Sequence, residues 1–231
     1  MSECATDRCE LEASQRTKRT LRWVTGVSFA ALIAAGWIVP WVGYFVPLCM
    51  IGGLVPAFFL GRKWCDWTCW RGGFLESAVA LVTGGRPVPR LLRSTGFRVG
   101  VMALLFTMFG FRITQLWGDW LALGGFFVMF LTATTVVAVL LGIIYEPRSW
   151  CAFCPLGTLG GWAGAGRKPL HITDACVGCG VCVKACPMDI DIPSYVEQGV
   201  VTHGDCIKCG ACIAKCPVGA LSFDDRRTRA A

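Results

Sequence analysis

Eight of the fifteen cysteines stand in two tandem runs, Cys176-x2-Cys179-x2-Cys182-x3-Cys186-Pro187 and Cys206-x2-Cys209-x2-Cys212-x3-Cys216-Pro217. Three thiolates at i, i+3 and i+6 let one tight loop wrap three corners of an iron–sulfur cube, and the fourth corner must come from elsewhere. In tandem runs of this spacing the fourth cysteine ligates the other cluster. One [4Fe–4S] cluster would then take Cys176, Cys179, Cys182 and Cys216, and the second Cys206, Cys209, Cys212 and Cys186. Gly178, Gly180 and Gly210 let the backbone pass close to the sulfides, and the two prolines turn the chain away after each run. Zinc ribbons lack the third C-x2 step and the trailing proline, and nothing points to an oxidising compartment that would favour a disulfide framework.

The stretch 174–222 resembles the two-cluster bacterial ferredoxins, and its halves repeat at one offset, from Cys176 to Cys206 and from Cys186 to Cys216. The resemblance implies a small α+β domain that depends on its clusters for stability, because so short a chain has little core. Val177, Val181, Ile190, Ile207, Ile213 and Leu221 are the expected packing residues.

The rest of the chain has the composition of a membrane protein. Hydrophobic residues make up 55%, there are ten tryptophans, and residues 23–61 contain no charged side chain. As one helix that run would be about 58 Å long, nearly twice the hydrocarbon thickness, so it must turn back. The turn is expected at Pro40-Trp41-Val42-Gly43-Tyr44. Two further apolar runs, 99–117 and 120–145, are separated by Gly118-Asp119, which gives four transmembrane helices in two hairpins. A cleaved leader is the weaker reading of the first run, since it continues into a second apolar segment. The expected organisation is a polar tail (1–22), a four-span membrane domain (23–161), a linker (162–173), the ferredoxin (174–222) and a basic tail (223–231).

Arginine and lysine set the orientation. Arg8, Arg16, Lys18, Arg19 and Arg22 precede the first span, and Arg62, Lys63, Arg71, Arg86, Arg90, Arg93 and Arg98 lie between the hairpins, whereas the two short turns hold only Arg112. Both termini and the ferredoxin are therefore expected on the cytoplasmic side of the inner membrane. This asymmetry accounts for the net charge of +7 without a nucleic-acid partner.

A second repeat stands at the membrane exits. Arg62-Lys63-Trp64-Cys65 leads to Cys69-Trp70-Arg71-Gly72, and Arg148-Ser149-Trp150-Cys151 leads to Cys154-Pro155-Leu156-Gly157. Each motif ends a hairpin, so two parallel hairpin repeats about an axis along the membrane normal would bring Cys65, Cys69, Cys151 and Cys154 together. Four thiolates there are compatible with a third iron–sulfur cluster, a redox-active dithiol, a zinc site or unligated cysteines at a helix–loop junction. The segment 74–82 is too short to span, and its N-terminus and that of the segment after Cys154 would turn positive backbone dipole toward an anionic cluster.

With these motifs together, residues 20–222 resemble the polytopic membrane ferredoxins typified by the NapH subunit of periplasmic nitrate reduction, the C-terminal part of NosR and the CcoG-type proteins. The chain differs in having Trp70 where that group tends to have proline, and C-x2-C-P rather than C-x3-C-P in the second motif. The resemblance implies electron transfer between the quinol pool, or a membrane partner, and a redox enzyme, or else a part in maturing a metalloenzyme. A redox-sensing regulator is a third reading. The protein would belong to an oxidoreductase complex, with quinone as a candidate ligand and no catalytic residue of its own.

His171 and His203 are the only histidines and neither lies in an expected span, so a membrane haem held by two histidines is not expected. His203 reads as a loop residue, and His171 as a linker residue with a solvated or capping role. Cys49 reads as packing within the second span. Cys4 and Cys9 belong to the polar tail, which reads as disordered. Arg112, Gln115 and Asp119 read as an interfacial cluster, and Lys184, Lys208 and Lys215 as docking charges beside the clusters.

Overall fold

The computed structural model describes residues 2–67, 69–164 and 166–223. The side chains of residues 1–15, Cys4 and Cys9 among them, and the basic tail beyond Phe223 lie outside the described residues.

The apolar runs form four helices long and apolar enough to cross a membrane: Arg16–Ile38, Pro40–Ala57, Thr95–Gln115 and Trp120–Ile144. The first belongs to α1 (Ser2–Ile38), which begins within the polar tail and takes in nearly all of it, so that segment is helical. At 1.5 Å per residue α1 is about 56 Å long, so its first turns project well beyond a hydrocarbon layer of about 30 Å. The chain turns at Pro40–Tyr44, where proline opens a 3-10 turn, and returns as α2 (Phe45–Leu60). The turn rests on the start of the fourth span: Gly43 and Gly124 leave no room for a side chain between the two backbones, and the Tyr44 hydroxyl donates to the Trp120 carbonyl at 2.8 Å.

Short elements follow each hairpin. After α2 come α3 (Lys63–Trp67), α4 (Trp70–Ser77) and α5 (Arg90–Arg93). The second hairpin is α6 (Thr95–Gln115), capped by the Ser94 hydroxyl, and α7 (Trp120–Ile144), capped by Asp119. It is followed by α8 (Pro155–Ala163). Contacts repeat between the halves: α4 packs on α1 and α7, and α8 on α6 and α2. Each post-motif helix thus touches the first span of its own hairpin and the second span of the other, as two parallel repeats require.

The ferredoxin region contains β1 (Leu170–Ile172), α9 (Val181–Lys184), β2 (Val200–Val201), α10 (Ala211–Lys215) and β3 (Leu221–Ser222). The strand order is β2-β1-β3, antiparallel throughout. The central strand therefore comes from the stretch read as a linker, and His171 is a strand residue. Ile190, Ile207 and Leu221 are buried and Ile213 partly so, as the sequence suggests, but Val177 (68% exposed) and Val181 (39%) face outward.

Between the hairpins and the ferredoxin lies a buried ion-pair network. Asp66 pairs with Lys18 and Arg22, each at 2.7 Å, and Glu76 with Arg22 and Arg148, also at 2.7 Å. Lys18 further donates to the Cys209 carbonyl at 2.8 Å, and α1 packs on α10. Lys18 and Arg22, which in the sequence count only as orientation charges before the first span, form the strut between membrane helices and ferredoxin. Breaking a buried pair strands its partner, so Asp66→Ala should cost about 3–5 kcal/mol. Heat denaturation of the detergent-solubilised protein should show a clearly lowered midpoint for that variant. Removing the exposed cap by Asp119→Ala should cost only about 1 kcal/mol.

Candidate iron–sulfur sites

In the ferredoxin region the two cysteine runs wrap in the same way. Gly178 and Lys208 have φ of +66° and +56°, and Gly180 and Gly210, which precede α9 and α10, have φ of +70° and +78°. These left-handed residues turn the following N–H groups inward. The N–H groups of Val183, Lys208, Ala211 and Ile213 lie close enough to the sulfurs of Cys182, Cys206, Cys209 and Cys212 respectively to favour their thiolates, while those of Val183 and Ile213 also donate to the Gly180 and Gly210 carbonyls. Burial nevertheless prevails and pushes the Cys209 thiol up to about 11.

Cys206, Cys209 and Cys212 line one cavity of about 20 Å³, and the fourth cysteine on its wall is Cys186 from the other run. Cys182 lies close enough to Cys176 and Cys179 for their charges to act on it, and Cys216 is buried in the same core. Cys179 is exposed, so this second set faces outward.

At the membrane exits Cys65, Cys69, Cys151 and Cys154 line a single cavity of about 190 Å³, which continues between the spans past Cys49, Phe109 and Phe130. Two of the four begin helices. Cys69 caps α4, its sulfur accepting the Gly72 N–H at 3.4 Å, and Cys154 precedes α8, whose first residue is Pro155. Trp70 occupies the position in α4 that Pro155 has in α8, and a first-turn position tolerates either residue because its N–H is spare. Cys65 and Cys151 also pack against the ferredoxin core, and Cys209 lies within the electrostatic reach of Asp66 and Arg148. The membrane-side cavity thus adjoins the Cys186/Cys206/Cys209/Cys212 set, with the Cys179 set outermost.

The two motif arginines cross. Arg62 donates through Nη2 to the Cys151 carbonyl at 2.7 Å, and Arg148 through Nη1 to the Cys65 carbonyl at 3.0 Å. Both arginines are only 2% exposed. Arg62 also pairs with Asp205 at 2.7 Å, which Arg98 meets from the other side at 2.5 Å. Burial alone would push the Asp205 carboxyl up, but Arg62 and Arg98 hold it below the usual carboxylate range.

The donor set and its surroundings fit a cubane. Among the described residues Lys18, Arg22, Arg62, Arg98 and Arg148 pair with Asp66, Glu76 and Asp205, which leaves a largely buried excess of cation beside the thiols. Arg62 Nε and Trp150 Nε1 are buried with no acceptor among the described residues, and both residues line the cavity. A thiolate-ligated cubane is anionic, and its sulfurs accept hydrogen bonds. Burial pushes the Cys65 thiol up to about 11 and the Cys151 thiol to about 12, opposite to the lowered values of reactive dithiols.

The sequence reading missed the charge network, although the arginine of each R-x-W-C motif was a visible signal for it. The remaining singled-out residues take plain roles. His203 Nδ1 accepts the Asp205 N–H at 3.1 Å, and burial lowers its pKa. Lys208 donates to the Arg167 carbonyl, at the seam with the membrane helices, whereas Lys184 and Lys215 are exposed. Asp119 is a helix cap, and Arg112 and Gln115 are exposed at the end of α6. Cys49 lines the cavity.

Residues 175–221 match the family of 4Fe-4S dicluster domains. Residues 42–89 and 123–173 each match the family of 4Fe-4S binding domains, and each stretch contains one of the two membrane-exit motifs. No curated protein and no solved structure matches the chain. A 4Fe-4S-binding ferredoxin domain is thus fused to a region of four apolar helices, in a membrane-associated iron–sulfur electron-transfer protein.

Proposed function

We propose that this protein relays single electrons between the quinol pool, or a membrane partner, and a redox enzyme, as the polytopic membrane ferredoxins that it resembles do. Cys176, Cys179, Cys182 and Cys216 would hold one [4Fe–4S] cluster, Cys206, Cys209, Cys212 and Cys186 a second, and Cys65, Cys69, Cys151 and Cys154 a third. When bound, such clusters accept and release one electron at a time, at potentials set by hydrogen bonds to sulfur, local charge and exposure.

The observation that carries this reading is the convergence of both membrane-exit cysteine pairs on one cavity that abuts the ferredoxin core. The protein's own part is to hold thiols at fixed separations, exclude water from them, and leave Cys179 exposed for a partner. The excess of Lys and Arg on the ferredoxin side of the spans supports an inner-membrane protein with both termini in the cytoplasm.

Iron and acid-labile sulfide in the purified protein test the ligand sets. About twelve irons per chain are expected, falling to about eight in a Cys65→Ser/Cys151→Ser variant that keeps both ferredoxin EPR signals. About eight in the unmodified chain would remove the third cluster. Cys179→Ser and Cys209→Ser should each abolish electron delivery from membrane vesicles to the partner enzyme, and undiminished flux in either would sink the relay. For orientation, a thiol label placed at Trp117 should react only from the periplasmic side of intact spheroplasts, and one at Gly166 only after lysis.

A further inference from the structure

We propose that Arg62 and Arg148 are crossed positioning residues, each holding the cysteine of the opposite motif, and that Arg62 alone extends this hold to the ferredoxin through Asp205. One side chain would then set the electrostatic surroundings of both the membrane-side site and the Cys186/Cys206/Cys209/Cys212 site. The inference rests on the reading of both as iron–sulfur sites.

The geometry is reciprocal at one end and asymmetric at the other. Arg62 reaches the Cys151 carbonyl and Arg148 the Cys65 carbonyl, so neither cysteine pair can move without the other motif. The second hand of Arg148 goes to Glu76, inside the membrane domain. That of Arg62 goes to Asp205 and the Gly204 carbonyl, immediately before Cys206. Room for the Arg62 guanidinium is made by glycine, since a side chain at Gly157 would meet Nη2 and the Cys151 carbonyl. A fork of five donors spans three acceptors on two domains, which lysine cannot do.

Both cations are buried, so their charge is poorly screened and acts strongly on neighbouring groups. Adding an electron makes a cluster more negative, and a nearby buried cation therefore favours the reduced form. Arg148→Gln should lower the potential of the membrane-side site, with only a smaller downward shift at the ferredoxin site whose Cys209 it reaches without a direct bond. Arg62→Gln should lower the membrane-side potential and that of one ferredoxin cluster, leaving the other unchanged. The expected size is a tenfold or greater loss in the reduced-to-oxidised ratio at a fixed potential, which is 59 mV for a one-electron couple. Asp205→Asn leaves Arg62 in place and removes a negative charge, so the same ferredoxin cluster should shift upward.

The experiment is an EPR-monitored redox titration of the full-length protein in detergent, for the unmodified chain, Arg62→Gln, Arg62→Lys, Arg148→Gln and Asp205→Asn. Arg62→Lys keeps the charge and should recover most of the potential shift while losing the fork. Support is a membrane-side shift in both Arg62→Gln and Arg148→Gln, a clearly larger ferredoxin shift in Arg62→Gln than in Arg148→Gln, and the opposite sign for Asp205→Asn. Unmoved potentials in Arg62→Gln overturn the proposal, as does a uniform change in all signals, which marks a merely structural role. If Arg62→Gln does not assemble, a downward or absent shift in Asp205→Asn overturns it instead. An unmodified protein with no third signal refutes the membrane-side half, and the Arg62–Asp205 effect on the ferredoxin signal then decides the rest.

Discussion

Five basic side chains gathered out of water against three carboxylates and four thiols are the constraint on which the rest of this molecule depends. Unpaired charge in a low-dielectric interior is costly, so each member has to be met at hydrogen-bond distance by a group from elsewhere in the chain. Lys18 and Arg22 can meet Asp66 and Glu76 only because α1 continues, unbroken, from the membrane into the polar N-terminal stretch. Asp205 can meet Arg62 and Arg98 only if the ferredoxin sits directly on the membrane exits. The long helix, the docked domain and the paired hairpins are three answers to one electrostatic requirement.

The same requirement explains how a small domain is held still. Lys18 grips the Cys209 carbonyl, Arg93 the Met188 and Asp189 carbonyls, and Arg62 the Gly204 carbonyl, so three separate elements hold the backbone of the ferredoxin. Cation-to-carbonyl bonds are stronger than neutral ones. Spread over well-separated points, they fix orientation as well as distance. For sites that must exchange electrons at constant spacing, this matters more than the net stability that the ion pairs contribute.

Much of the architecture was legible because its signals are local. Hydropathy over about twenty residues marks each span, Pro40 and Gly43 mark the turn, and the cysteine spacings mark the loops that wrap them. What was not legible depends on partners distant in sequence. Lys18 is one orientation charge among several in the tail until Asp66 and Cys209 are beside it. Leu170–Ile172 is too short to show a strand period, and only pairing with residues about thirty and about fifty positions away makes it the central strand. Val177 and Val181 read as packing residues on residue type alone, yet loops built to wrap a cluster leave some apolar positions on the rim. The membrane-side cavity lies between these cases. The repeated R-x-W-C motif implied a two-fold relation, and the relation brings the four thiols together, but nothing in the motif said where the arginines would reach.

That two-fold relation is broken at one place, and the break links the two domains. Counting from Cys69 and Cys154, Glu76 of the first repeat corresponds to Gly161 of the second. Glu76 gives Arg148 its carboxylate from within the membrane domain. Gly161 offers Arg62 no such group, and the space that a side chain would need is occupied by the Gly204 carbonyl and edged by the stem of Arg62. The missing carboxylate is supplied one residue later by Asp205. A symmetric pair of hairpins would satisfy both arginines internally and have no reason to bind a ferredoxin at one motif rather than the other. Replacing one acid by glycine opens a gap of defined shape and charge, and the residues just before Cys206 fill it. This sets which cysteine run faces the membrane site and which is left outward with Cys179 exposed.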